Sequence, residues 1–429
     1  MRDTLFRALV IERGWNRYDT FDIKFSLARD ALAGREREPD LHRVTLSKRT
    51  FERWMSGDVR SVPQIGTRRI LQHMLGVPAT ALFGPAPFPR AHDPHAHPET
   101  RTVATALIDA AQAGIDDIVD RYESHGPGHM VGEARLLWRM TDALARTNAH
   151  GRLAPDRARL AARSAGLLAY MAVNLGALTA AEAWSRRALT IADDVGDTET
   201  CIWIWGTRSL GFYYAGRYAD ADTAAAAGIA LGPAHPQAVR LLANGRARAL
   251  ARLGEHRRAT RAIGRALDLT DRQVELPDGV SPCIAFTPYS PARTLANAVT
   301  AHLSLGRTAD VLRHANRIED LVTRSDSDWT RALVDLDVAT ALLRRRPPDV
   351  EHAMTLGLRA LEHGGPTPIR SVWIRAHELR DEAEPWSGHD CVLRYAHALA
   401  TRTLPPASLT ADLGNPRDPS PISTRKTAP

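Results

Sequence analysis

The chain reads as an all-α protein, and three observations predict it. Alternating Val/Ile/Thr runs of the kind that form strands are absent, while Ala, Leu and Arg recur at three- and four-residue spacing. Four glycines, Gly176, Gly216, Gly254 and Gly306, each close an apolar helical pattern and follow one another at 40, 38 and 52 residues. Proline clusters at 84–98 and 404–429 bound the patterned region, since proline forbids a helix interior. The expected organisation is a helical head over 1–84 and a Pro/His-rich linker over 85–99. A helical connector over 100–150, a helical-repeat body over 151–403 and a disordered tail over 404–429 follow.

Composition narrows the function classes. With 429 residues, 44% hydrophobic and 24% charged, the chain can bury a core and resembles ordinary soluble proteins. Cys201, Cys283 and Cys391 lie too far apart for a metal-ligand motif or a disulfide framework, which suits a reducing cytoplasm. Met1 to Arg17 lacks the apolar core of a signal peptide. Ser164 to Ala181 carries no charge, yet Asn174, Thr179 and two glycines interrupt it, so a buried helix is expected there and no membrane partner. The formal charge is +7, and residues 1–90 hold sixteen Lys/Arg against ten Asp/Glu. A basic terminal module on a near-neutral body points to a polyanionic partner for that module.

The body repeats one pattern. A helix ends in a small residue, a short turn follows, and a second helix carries alanines on one face. The turns are Leu175–Leu178, Ala215–Tyr218, Leu253–His256 and Leu305–Thr308, followed by Ala188-Leu189, Gly228-Ile229, Ala266-Leu267 and Ile318. The best copy is Trp205…Phe212…Gly216-Arg217-Tyr218…Ala221, and a weaker fifth unit runs from about Ala332 to Glu362. This pattern resembles the tetratricopeptide repeat, in which small residues let paired helices approach and large ones fill the gaps; the resemblance implies an α-solenoid.

The head holds the sharper signal. Ser47 can cap a helix and Gly57 can end it in the left-handed conformation. At 100° per residue, Lys48, Arg49, Glu52, Arg53 and Ser56 share one arc, and Thr50, Phe51, Trp54 and Met55 the opposite one. An amphipathic surface helix explains that sorting but not two cations in its first turn, where the helix dipole opposes them. Donors belong there if the turn enters a DNA groove, because Arg and Lys reach guanine O6 and N7.

The run Ser47–Gly57 (SKRTFERWMSG) resembles the recognition helix of phage-repressor-like (XRE-type) helix-turn-helix regulators. The resemblance implies a lambda-repressor-like head. Helix one would cover Thr4–Arg13, with Leu5, Leu9 and Val10 inward. Its fourth and fifth helices would lie at 63–75 and 78–83, packing through Ile70, Leu71, Met74, Leu75, Leu82 and Phe83. By the same resemblance Lys48, Arg49 and Arg53 match base-reading positions and Ser47 a phosphate contact. Glu52 accepts from cytosine N4 or pairs with Lys48. Arg43, Arg60 and Arg68 are phosphate candidates, which position a protein without specifying sequence. The departure lies in Thr20–Leu32, a long aromatic second helix, followed by a charged insertion over Ala33–Val44 that replaces the family's tight turn.

In the body, registering the repeats on their glycines gathers Tyr170, Asn174, Trp203, Tyr213, Tyr214, Arg240, Asn244, Arg248, Arg252 and Arg293 on the first helices. Aromatics with Asn and Arg suit a peptide groove, Asn holding a backbone and Arg a carboxylate, and equally suit core packing beside a solvated basic face. Regulators combining such a head and body include peptide-sensing receptors, so a peptide or small-molecule effector is expected by resemblance.

No catalytic constellation emerges. His92, Asp93, His95 and His97 lie in the linker, which preorganises no metal site. His125–Met130 is glycine-rich but lacks the Lys-Ser/Thr ending of a phosphate loop. The chain is therefore expected to be a sequence-specific, homodimeric regulator of double-stranded DNA without cofactor or metal. The alternative is an interaction scaffold whose head does not read DNA.

Overall fold

The computed structural model describes residues 4–12, 15–36, 38–57, 63–75, 82–83, 98–146, 153–273, 281–323, 327–404, 413 and 416. Every regular element among them is helical. Arg60, the His92–His97 cluster and nearly all of the expected linker and tail lie outside the described residues. The chain divides into two compact units, one of residues 1–118, 136–161 and 420–429, the other of 119–135 and 162–419.

In the first unit, α1 (Leu5–Glu12), α2 (Tyr18–Glu36), α3 (Lys48–Met55) and α4 (Ile65–Leu75) enclose an aromatic core. Phe6 sits 5.5 Å edge-on to both Phe21 and Trp54, and Phe21 lies 4.8 Å from Phe51. Ile70, Leu71, Leu75 and Leu82 complete that core, with Met74 and Phe83 packed at its margin. Helix α2 exceeds its sequence expectation at both ends and runs into the charged insertion, because its inward residues Phe21, Phe25 and Leu32 continue the helical spacing. The rest of the insertion forms a short 3-10 turn, Pro39–Arg43, anchored by buried Leu41.

The second unit contains the repeats. Helices α5 (Pro98–His125), α6 (Pro127–Arg146) and α7 (Ala154–Asn174) each pass from one unit to the other. The uncharged stretch Ser164–Ala181, predicted to be a buried helix, is divided by the turn at Gly176 between the end of α7 and the start of α8 (Leu178–Asp194), and no described helix is long and apolar enough to cross a membrane. The following pairs are α9 (Thr198–Tyr214) with α10 (Tyr218–Leu231), and α11 with α12 (His256–Asp271). Helix α11 is composite: α-helical Ala238–Arg240, π-helical Leu241–Ala247 and α-helical Arg248–Arg252. Then come α13 (Pro291–Ser304) with α14 (Thr308–Thr323), α15 (Asp328–Arg344) with α16 (Val350–Gly364), and α17 (Arg370–Glu382) with α18 (Asp390–Ala400).

The four predicted turns share one hydrogen bond. The residue after each glycine donates its amide to the carbonyl five residues back: Ala177 to Ala172, Arg217 to Phe212, Glu255 to Leu250 and Arg307 to His302, at 2.9–3.0 Å. This is the Schellman closure, which needs the left-handed residue that Gly176, Gly216, Gly254 and Gly306 provide at φ 71–77°. Small residues then set how near the helices lie. A Cβ on Gly228 would stand 2.5 Å from Leu241 and 2.7 Å from Trp205, and one on Gly245 2.7 Å from the Ala225 Cβ. Ala188, Ala266 and Ile318 are buried as their spacing predicts.

Candidate functional sites

Two features carry polar chemistry, one in each unit. The first is the outer face of α3. The Ser47 hydroxyl accepts from the Thr50 amide at 3.2 Å and caps the helix, and Gly57 at φ 77° ends it. The segment before it is held by the Tyr18 hydroxyl, which donates to the Leu46 carbonyl at 2.8 Å. Helix α4 closes on the same segment, since a Cβ on Gly66 would stand 2.8 Å from the Val44 side chain. Phe51 and Trp54 are buried, while Lys48, Arg49, Glu52, Arg53 and Ser56 are exposed, the division that the 100° sorting predicts.

On that face Lys48 approaches Glu52 at 3.9 Å with both side chains largely exposed, which leaves the pair worth little in water. Arg49 and Arg53 have no ion-pair partner among the described residues, and the first turn carries no acid. Arg43 pairs with Asp40 at 3.3 Å in the open, and Arg68 is half-buried on α4. The surface is a small cationic ridge on which Arg49 and Arg53 have no ion-pair partner among the described residues.

The second feature is a cavity inside the repeat unit, with about 70 Å³ of space for water centres. Six of the ten residues that the sequence places together line it: Tyr170, Asn174, Tyr214, Asn244, Arg248 and Arg293. All six are buried. Trp203 and Arg240 are buried behind it, the guanidinium 4.5 Å over the Trp203 ring. Tyr213 is half-buried 4.1 Å under the Arg248 guanidinium, and exposed Arg252 bonds to Tyr218 and Glu378 instead.

Among the described residues, the cavity's hydrogen bonds leave one cation without an anion. Arg293 donates to Glu123 at 2.9 Å and to the Ser281 carbonyl at 2.7 Å. Arg375 donates to Asp337 at 3.1 Å and to Thr300 at 2.9 Å, and Thr300 donates to Asp337 at 2.6 Å. Arg248, by contrast, donates to the Asn244 side-chain oxygen and, at 3.0 Å, to the Tyr214 hydroxyl. Its Nε is buried with no partner. Burial disfavours its charge, but the surrounding tyrosines more than compensate and hold its pKa above the usual arginine value. Burial likewise raises Asp337 against the pull of Arg375. Asn244 also donates to the Tyr289 hydroxyl at 3.0 Å, within the π-helical segment.

Sequence reasoning missed several lining residues. Asn297 and Thr300 follow Arg293 at four and seven residues on one helix face, a spacing that would have found them. Arg375, Tyr289 and Ser371 come from elements outside the registered repeats, and Glu123 reaches Arg293 across 170 residues of chain. No local pattern announces those.

Two of the thiols are not activated: burial raises Cys201 to about 11 and pushes Cys283 higher still, assisted by Glu123. Among the described residues no group of three His, Cys, Asp or Glu is arranged to hold a metal ion.

No family model matches this chain, and neither does any curated protein. Twelve chains of solved structures are similar to it. One is a tetratricopeptide repeat protein from Parabacteroides merdae, 12% identical, with a TM-score of 0.38 over 72% of this chain and 97% of that one. That similarity is too loose to transfer a partner or an activity.

Proposed function

We propose that the chain is a helical-repeat interaction scaffold whose N-terminal unit gives it a second partner, duplex DNA, engaged through α3. The scaffold reading follows from the fold, in which successive helix pairs expose an extended surface that repeat architectures use for partners. The DNA reading is carried by one observation, the free cations Arg49 and Arg53 beside Lys48 on a capped helix with no acid in its first turn. Lys48, Arg49 and Arg53 are the proposed base contacts. Arg43, Arg68 and the Ser47 turn face phosphates, and Glu52 either accepts from cytosine or stays with Lys48. Arg60 would join the phosphate set. A homodimer would read paired half-sites.

A head that does not read DNA is favoured by a different observation. Eleven residues, including the 3-10 turn, separate α2 from α3, so the tight turn that fixes a recognition helix in phage-repressor-like regulators is absent. Selection of genomic fragments at two salt concentrations separates the readings. A motif enriched at the higher salt supports sequence-specific binding, and its symmetry reports the dimer. Uniform recovery that collapses as salt rises means phosphate contact alone. No recovery at either salt leaves the repeat scaffold as the whole function.

A further inference from the structure

We propose that the cavity of the repeat unit binds a small organic carboxylate, held by the Arg248 guanidinium with its short apolar body against Leu333, Val334 and Ile369. This concerns the interior of the repeats and stands whether or not their surface binds a macromolecule or α3 binds DNA.

Charge is the first argument. Three guanidinium groups line the cavity, Arg248, Arg293 and Arg375, and two carboxylates answer them, Glu123 on Arg293 and Asp337 on Arg375. Among the described residues, one positive charge, on Arg248, is left over. A second uncompensated guanidinium, Arg240, stacks over Tyr170 and Tyr289 of the lining, with its Nε and one terminal nitrogen buried and unpartnered. The surrounding tyrosines offset the burial of Arg248, but no anion among the described residues pairs with it and its Nε has no acceptor. A ligand anion is the missing partner.

Chemistry selects the carboxylate. The one uncompensated lining charge matches one carboxylate, and a planar guanidinium presents its donors at the spacing of carboxylate oxygens. Arg248 is already oriented by Asn244 and Tyr214 and has Nε to spare. The π-helical turn ends immediately before Arg248, and such insertions re-aim side chains at functional sites. The rest of the wall is mixed: Leu210, Leu333, Val334 and Ile369 form an apolar patch that suits a short hydrocarbon body, beside the polar side chains of Asn297, Thr300 and Ser371.

Size selects a small molecule. A space of about 70 Å³ holds the centres of about five waters, room for a few heavy atoms and not for a folded-in peptide. Ala296, Asn297 and Leu333 are the partly exposed part of the lining and form the mouth.

The test uses the full chain, with propionate and butyrate as probes and propionamide and butyramide as uncharged matches, read by thermal shift and titration calorimetry. The acids should bind saturably and raise Tm, and the amides should not. Arg248→Met should weaken the acids at least about tenfold, the loss of one charge-assisted contact. Leu333→Trp, which fills the mouth and leaves every charge in place, should abolish binding, so the result does not hang on one variant folding. The proposal is overturned if no acid binds, if acid and amide bind alike, or if Arg248→Met binds the acids as tightly as the parent. It is equally overturned if only a peptide with a free C-terminus binds.

Discussion

Arg248 donates to the Tyr214 hydroxyl at 3.0 Å, and no carboxylate among the described residues forms an ion pair with it. Burial raises the phenol's pKa, but Arg248 and Arg375 outweigh that and bring it below the usual tyrosine value. The pair therefore shares a surplus of positive potential that the neighbouring Arg375–Asp337 pair, 3.1 Å apart, does not have.

This difference predicts unequal responses to the same substitution. Arg248→Met strands no carboxylate and should cost only about 1–2 kcal/mol, for the hydrogen bonds to Asn244 and Tyr214. Arg375→Met strands Asp337, 3% exposed, without its cation and should cost about 3–5 kcal/mol. Urea unfolding of the two variants checks the contrast; equal losses would mean that Arg248 has a structural counter-charge.

Helix approach in the repeats should be intolerant of one added carbon. Gly228→Ala and Gly245→Ala each place a Cβ within 2.7 Å of a neighbour and should destabilise by about 1–3 kcal/mol. Gly254→Ala meets open space, so its cost should be only the left-handed backbone, about 1 kcal/mol. A Gly254 loss as large as the other two would contradict this order.

On α3, stability and binding should separate. Ser47→Ala removes the cap and should cost about 1 kcal/mol of stability. The double variant Arg49→Ala, Arg53→Ala alters two exposed side chains and should leave thermal unfolding nearly unchanged while abolishing specific DNA binding. DNA binding at parental strength by that double variant would remove this face from the proposed function.

Acid should weaken the repeat unit through His302. Burial holds its pKa down to about 4, helped by the stacked His314 at 5.2 Å and by Arg307 and Arg313, with Asp310 at 3.8 Å opposing. A histidine kept neutral in the folded state but protonated near 6.5 when unfolded leaves full stability above pH 6.5. As pH falls from there to about 4, up to about 3 kcal/mol is lost. His302→Gln should flatten that limb of a stability–pH curve; an unchanged slope would assign it to carboxylates.

The sequence by itself determined the helical class, the repeat turns and the two faces of α3, because each depends on neighbours within one or two turns. Gly216 before Arg217-Tyr218 dictates a left-handed helix end whatever lies beyond, and residues 48–56 sort by angle alone. The extent of α2 was less legible, since the charged residues after Leu32 obscured how far the helix continues. Only the tertiary structure decided what the gathered aromatic and arginine residues become. Six line a partly open cavity, Trp203 and Arg240 pack behind it, and Arg252 faces solvent. The counter-charges were equally hidden: Glu123 meets Arg293 and Asp337 meets Arg375 across 170 and 38 residues. Whether a buried arginine has an anion depends on long-range packing, which no local periodicity encodes.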